Sequence, residues 1–117
     1  PLRRIRPRAL ADAVLFHGGA HWWARTRYAR GFARLIGQCF LERAYGDCYG
    51  YLWALRGRAD AVVDCGVKPW DLVPLAALAR GTGRVLVDFA NRPSWTGPEA
   101  VFAHPALARQ ICRVLTR

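Results

Sequence analysis

The chain has 117 residues, which bounds it to one domain with a modest core. Hydrophobic residues make up 53% of it, so the chain should fold or pack against a partner. No apolar run approaches the roughly 18 residues that span a bilayer, and the basic start is not followed by an apolar segment. These features predict neither a membrane span nor a secretion signal, and they predict a cytoplasmic protein.

The net charge is +10, but its composition weakens the case for nucleic-acid binding. Lys68 is the only lysine, so 17 of the 18 basic residues are arginines, spread along the whole chain. Such a bias fits an arginine-rich genome at least as well as a binding surface, which usually concentrates its charge. No two of the four cysteines are separated by two residues, so their spacing suggests neither a zinc knuckle nor a redox pair.

Hydrophobic patterning predicts strands alternating with helices. Residues 1–11 are basic, contain two prolines and indicate a tail or linker, with the domain over 12–117. The predicted strands are 12–17, 39–44, 59–65, 84–89 and 100–103, and the predicted helices are 25–36, one opening at Asp47, 72–80 and 106–115. His21-Trp22-Trp23 is expected to be a loop or a helix start. This alternation is typical of a layered α/β (α+β) fold.

Three aspartates fall at joints between apolar runs, where sites are usually built. Asp71 follows Trp70 and opens a predicted helix. It is either an N-cap, which contributes about 1 kcal/mol, or a ligand for Mg²⁺ at a helix end that favours phosphate. Asp64 lies near a strand end, and Asp47 opens a helix. Each is either a pocket residue or a solvated turn or cap residue.

Other reactive side chains give weaker signals. His17 and His21 are four apart, but Gly18-Gly19 argues against one shared helix face and no third ligand lies nearby. His104 precedes Pro105 and is expected to be a helix-entry residue. Ser94, the only serine, sits in a proline-rich loop, so no nucleophile is indicated.

Three segments carry a resemblance to a known family. They are Gly-Asp-Cys-Tyr-Gly-Tyr at 46–51, Gly-Arg-Ala-Asp-Ala at 57–61 and Lys-Pro-Trp-Asp at 68–71. They resemble the inositol monophosphatase family, and the first is most similar to its histidinol-phosphatase branch. The resemblance extends loosely over 10–116, and it implies the C-terminal domain of that fold, with a mixed sheet flanked by helices.

The resemblance implies a Mg²⁺-dependent phosphomonoesterase that acts on a small phosphorylated metabolite. Asp71 matches the family's C-terminal metal-binding aspartate. Asp64 matches an acid that meets substrate hydroxyls or an amine, and Asp47 falls where the family lines its substrate pocket. The family's glutamate pair and Asp-Pro-x-Asp-Gly-Thr motif are not matched in this sequence. The resemblance therefore implies a C-terminal portion that needs an N-terminal half or a partner subunit, and that is inactive alone.

Two other interpretations stay open at this point. A small basic module for anions or nucleic acid should present the arginines of 25–34 on one exposed face. A catalytically inactive remnant should hydrolyse nothing. A half-enzyme should also expose a broad apolar face, for which the candidates are Trp22, Trp23, Trp53 and Trp95. The sequence does not fix the oligomeric state, so a homo-oligomer is also considered.

Overall fold

A computed structural model describes residues 1–46 and 48–117. The strands are β1 (Val14–His17), β2 (Leu41–Ala44), β3 (Ala61–Cys65), β4 (Val85–Val87) and β5 (Glu99–Ala103). The helices are α1 (Ala20–Ala24), α2 (Ala29–Gln38), α3 (Tyr49–Leu55), α4 (Pro69–Thr82) and α5 (Pro105–Thr116), with a 3-10 turn at Leu10–Asp12. In the part of the chain described, no helix is long and apolar enough to cross a bilayer.

The five strands form one mixed sheet in the order β2-β1-β3-β5-β4. Strand β1 pairs in parallel with both β2 and β3, whereas β5 is antiparallel to β3 and β4. The chain runs from β1 to β2 on one side of β1 and then crosses to β3 on its other side. The sheet therefore has a topological switch point between β1 and β3. A crevice opens outside the carboxyl ends of parallel strands at such a point. The predicted layered fold with a mixed sheet is confirmed.

Helices cover both faces of the sheet, and each face has its own core. Alternate strand residues point to opposite faces, so Leu15 and Val63 join one core while Phe16 and Val62 join the other. Helices α2 and α5 cover the first face and α3 and α4 cover the second. On each face, two helices pack against the sheet through their apolar sides.

Several element boundaries differ from the prediction. Helix α4 begins at Pro69, so Asp71 is its third residue and not its opening residue. Proline suits the first turn of a helix because the N–H it lacks would have no partner there. Helix α2 begins at Ala29, four residues later than predicted. At α5 the prediction is confirmed, because His104 Nδ1 accepts a hydrogen bond from the N–H of Ala106 at 3.1 Å.

The first residues of the chain are hydrogen-bonded to the domain. The N–H of Arg3 donates to the carbonyl of Leu55 at 2.7 Å, and that of Ile5 donates to Thr82 at 2.8 Å. The buried guanidinium of Arg84 donates to the carbonyl of Arg3 at 2.7 Å. This stretch thus packs on the domain at these points, while a domain boundary at residue 12 stays a prediction.

The tryptophans divide between core and surface. Trp23 is 1% exposed and stacks on Phe32, with ring centroids 4.5 Å apart, so its prediction as an interface residue is wrong. Trp53 is partly buried against the α3–α4 core. Trp22 and Trp95 are exposed, and so is Trp70. Trp23 is buried because it belongs to the short helix α1, which turns the indole ring toward α2. The sequence predicted a loop or a helix start at this position.

Candidate active-site cleft

A cleft of about 470 Å³ opens at the carboxyl ends of β1 and β3. Asp64, at the end of β3, and Asp71, in the first turn of α4, both line it. The sequence-predicted acids at these two positions therefore face one crevice. The third, Asp47, lies outside the described residues. A larger groove of about 750 Å³ lies between α4 and β4, and its described lining residues are two arginines and apolar side chains.

Asp64 is the buried acid of the cleft. Asp64 is only 8% exposed, and its Oδ2 accepts a hydrogen bond from the hydroxyl of Tyr51 at 2.8 Å. Burial raises the pKa of Asp64 to about 6, while Tyr51 and the N–H of Gly18 act in the opposite direction by favouring the charged form. The nearby charge of Asp71 adds to the rise. Asp64 thus changes charge close to neutral pH.

Gly18, the residue after β1, leaves room for this carboxylate. A Cβ atom at Gly18 would lie 2.6 Å from Asp64 Oδ1, closer than real Cβ atoms approach an oxygen. Any side chain there would push the carboxylate out of position. The glycine pair that signals the end of the first strand in the sequence therefore also shapes the cleft.

Asp71 is the exposed acid of the cleft. Its Oδ2 accepts a hydrogen bond from the N–H of Lys68 at 3.0 Å, so one oxygen stabilises the start of α4. A carboxylate has two oxygens and about four lone-pair positions, which leaves acceptor capacity for a second partner. The capping role is therefore observed, and it is compatible with a role as a metal ligand.

The described residues suit part of a Mg²⁺ site and do not suit a whole one. Within residues 1–46 and 48–117, no three histidine, cysteine or acidic side chains converge in a way that would hold a metal ion. Mg²⁺ typically binds one or two protein carboxylates and keeps waters or substrate phosphates as its other ligands. Asp71 fits one such carboxylate contribution, and further acids would have to complete a catalytic centre.

His17, the last residue of β1, forms hydrogen bonds to the turn after β1 and to β2. It is 3% exposed, and its Nδ1 accepts a hydrogen bond from the N–H of Gly19 at 3.1 Å. Its Nε2 therefore carries the proton in the neutral ring and donates it to Oε2 of Glu42. Both ring nitrogens are used, so the histidine fixes the turn after β1.

Tyr51 is the cleft residue that patterning missed. In the sequence, Tyr49, Leu52 and Trp53 fall on one side of this helix. The structure exposes Tyr49 and Leu52, and it buries Tyr51 with Gly50, Ala54 and Leu55. The exposed residues and the buried residues both recur at spacings of three and four, so spacing does not distinguish the two sides. The small residues Gly50 and Ala54 indicate which side packs on the sheet.

Three of the four arginines of 25–34 are exposed, and the fourth, Arg34, is half-buried. Arg34 lies against α5, where its guanidinium donates to the carbonyls of Val114 and Arg117 at 3.2 and 2.8 Å. Arg27 lies over the ring of Tyr28, 5.0 Å from its centroid. Arg34 is therefore used within the domain, whereas a shared basic face formed by Arg25, Arg27 and Arg30 stays a prediction.

The shifted acid predicts a specific pH dependence of stability. The pKa of Asp64 rises from 3.8 to about 6 on folding, so between these values the folded protein holds a proton that the unfolded chain has released. Its contribution to stability is greatest below about pH 4 and is lost as the pH rises to about 6. The loss is about 3 kcal/mol, since each pKa unit corresponds to about 1.4 kcal/mol.

This dependence is measured by urea unfolding of the wild type and Asp64→Asn between pH 4 and 7. We expect the free energy of unfolding of the wild type to fall relative to the variant up to about pH 6 and to stay level above it. Parallel pH profiles would show that Asp64 titrates normally.

Comparison with known proteins gives relatives by sequence and by fold. No protein-family model matches the sequence. A histidinol-phosphatase of Chlorobaculum parvum is 33% identical over 72 residues, which cover 61% of this chain and 28% of that protein. The chloroplastic bifunctional phosphatase IMPL2 of Arabidopsis thaliana is 37% identical over 88 residues, covering 75% and 23%. The chain thus spans about a quarter of the length of these curated relatives.

Solved structures match the fold over nearly the whole chain. An inositol monophosphatase from Zymomonas mobilis superposes with a TM-score of 0.84 at 25% identity, covering 99% of this chain and 47% of that one. Inositol monophosphatase II from Staphylococcus aureus superposes with a TM-score of 0.86 at 16% identity, covering 99% and 45%, which by itself shows a shared fold. Taken together, the superpositions show that the chain has the inositol monophosphatase fold, and the sequence relatives show that it resembles phosphatases of that family.

Proposed function

We propose that the chain is the C-terminal portion of a Mg²⁺-dependent phosphomonoester hydrolase of the histidinol-phosphatase type. The observation that carries the proposal is that Asp64 and Asp71 line one cleft at the switch point of the sheet. Two sequence relatives are histidinol-phosphatases, which supports the choice of substrate class. A cytoplasmic location belongs to the same proposal.

Each acid has a proposed role in that reaction. Asp71 would be a metal ligand, and the metal, when bound, supplies an activated water and stabilises charge on the phosphoryl group. The N-terminal end of α4 lines the same cleft, and the helix dipole at that end would favour the phosphate. Asp64 would accept hydrogen bonds from a hydroxyl or ammonium group of the substrate. Asp47 is proposed as a third pocket residue from its sequence position alone.

The remaining metal ligands would come from elsewhere. The structural relatives are about twice as long as the matched region, so an N-terminal half of the same protein or a partner subunit has room to supply them. In this proposal the exposed rings of Trp22 and Trp70, which line the cleft, lie where the second half would meet the chain. A homo-oligomer remains part of the proposal.

The test is phosphate release by the full-length protein. L-histidinol phosphate and inositol 1-phosphate are each supplied with Mg²⁺, and matched samples contain an excess of chelator. We expect hydrolysis of histidinol phosphate with a higher kcat/KM than inositol 1-phosphate, and loss of both activities with the chelator. Hydrolysis that persists in chelator would refute the metal dependence, and a preference for the inositol ester would refute the branch assignment. If neither ester is hydrolysed, the inactive-remnant interpretation replaces the proposal.

A further inference from the structure

We propose that Tyr51 is a positioning residue that fixes the carboxylate of Asp64, and that it thereby makes the cleft prefer a ligand with a cationic amine over a neutral polyol. The inference rests on the substrate-binding role proposed above for Asp64. It adds to that role a residue on another element and a specificity that follows from it.

The geometry holds the tyrosine hydroxyl in place. Tyr51 is 4% exposed, and its ring packs edge-on against Phe102 with centroids 5.7 Å apart. The same core contains Val62 and Leu72, so the ring is enclosed by the sheet and by α4. The hydroxyl, which donates to Asp64 Oδ2 at 2.8 Å, therefore has little freedom to turn away.

This donor controls the charge of the buried acid. A buried carboxylate stays ionised only when donors replace water, and Asp64 receives support from Tyr51 and from the N–H of Gly18. Burial raises the pKa of Tyr51 well above 10, so its hydroxyl remains a donor at working pH. Two donors occupy part of the roughly four lone-pair positions of a carboxylate, which leaves acceptor positions for a ligand.

The other groups around Asp64 also favour a cation. From α4, the carboxylate of Asp71 lines the cleft, and from β3 the neighbouring Cys65 has a thiol pKa raised to about 11 by burial, so it is uncharged. The described lining residues include no arginine, lysine or histidine, although the protein carries a net charge of +10. Trp22 and Trp70 line the same cleft, and indole rings attract ammonium groups.

Removing the hydroxyl should lower the ionised fraction of Asp64 at pH 7. With a pKa of about 6, the acid is about 90% ionised at pH 7. Tyr51→Phe keeps the ring in the core and removes one donor to the charged form, so it should raise the pKa of Asp64 by at least about one unit. The ionised fraction would then fall to about half or less, and affinity for a cationic ligand would fall about 2- to 10-fold.

The experiment compares the wild type, Tyr51→Phe and a matched control in the full-length protein. The control is Tyr49→Phe on the same helix, whose side chain is 61% exposed. Carbon-13 NMR of labelled aspartate follows the Asp64 carboxyl from pH 4 to 8, with Asp64→Asn used for assignment. Binding of L-histidinol and of myo-inositol is then measured by NMR titration at pH 7. We expect a higher midpoint and weaker histidinol binding only in Tyr51→Phe, with myo-inositol affinity within about twofold of the wild type.

Two results would overturn the inference. One is an unchanged Asp64 midpoint in Tyr51→Phe, which would show that the hydroxyl does not control the acid. The other is an equal loss of affinity for both ligands, which would show a structural role without specificity. Neither readout depends on phosphate release. A protein without phosphatase activity would therefore refute the proposed reaction and still allow both measurements.

Discussion

Replacing Asp71 by asparagine is expected to lower the Mg²⁺-dependent hydrolysis rate of the full-length protein at least about 100-fold. A catalytic metal contributes several kcal/mol of charge stabilisation in the transition state, and each 1.4 kcal/mol is tenfold in rate. The substitution removes one negative charge from the cleft while keeping the shape of the side chain. The measurement is kcat/KM over a series of Mg²⁺ concentrations, in which the variant should also need more Mg²⁺.

The fold should survive this change. The amide oxygen of asparagine can accept the hydrogen bond that the N–H of Lys68 now donates to Asp71 Oδ2. Asparagine in the first turn lacks the favourable charge at the helix N-terminus, which is worth less than about 1 kcal/mol at an exposed position. A thermal midpoint close to that of the wild type is the control. A variant with full activity and an unchanged Mg²⁺ requirement would remove Asp71 from the metal site.

Replacing Gly31 by alanine is expected to destabilise the protein by about 3 kcal/mol. Helices α2 and α5 approach so closely at this point that a Cβ on Gly31 would lie 2.2 Å from the carbonyl oxygen of Leu115. The obstacle is backbone, so α5 as a whole would have to move. That shift would also disturb the hydrogen bonds that Arg34 donates to the end of α5. Urea unfolding at constant pH measures the loss.

Gly37 is a matched control on the same helix. A Cβ at Gly37 would meet no atom within 4 Å, and the residue is exposed near the end of α2. Gly37→Ala should therefore leave stability unchanged or raise it by up to about 1 kcal/mol, through the higher helix propensity of alanine. Equal effects of the two substitutions would show that the close approach of α5 does not require glycine at position 31.

Local signals in the sequence were sufficient for much of the fold and for part of the cleft. Asp64 followed a β-branched apolar run, and Asp71 lay close to a proline-marked helix start. Because strand ends and helix starts meet at crevices in α/β sheets, those two acids were predicted to share one, as they do. Their roles in binding metal and substrate remain predictions. The switch point itself depends on strand order, which a single sequence does not state.

Side-chain contacts between residues far apart in the chain could not be predicted from the sequence. Tyr51 and Asp64 are 13 positions apart, and His17 and Glu42 are 25 apart. Neither spacing has meaning within one helix or strand, so only the packing of elements brings these side chains together. The buried side of α3 could not be read from the sequence for a related reason. A seven-residue helix offers two competing sets of apolar positions, and the sheet decides between them.

The sheet has a mechanical consequence for the cleft, because it separates two cores of unequal size. Among the described residues, the face covered by α2 and α5 buries 18 in its core, and the face covered by α3 and α4 buries 12. Regions with fewer buried contacts open at lower free-energy cost than the rest of a domain. Helices α3 and α4, which carry Tyr51 and Asp71, pack on the smaller core, so we expect the layer that holds the cleft to open at a lower free-energy cost than the layer on the opposite side of the sheet.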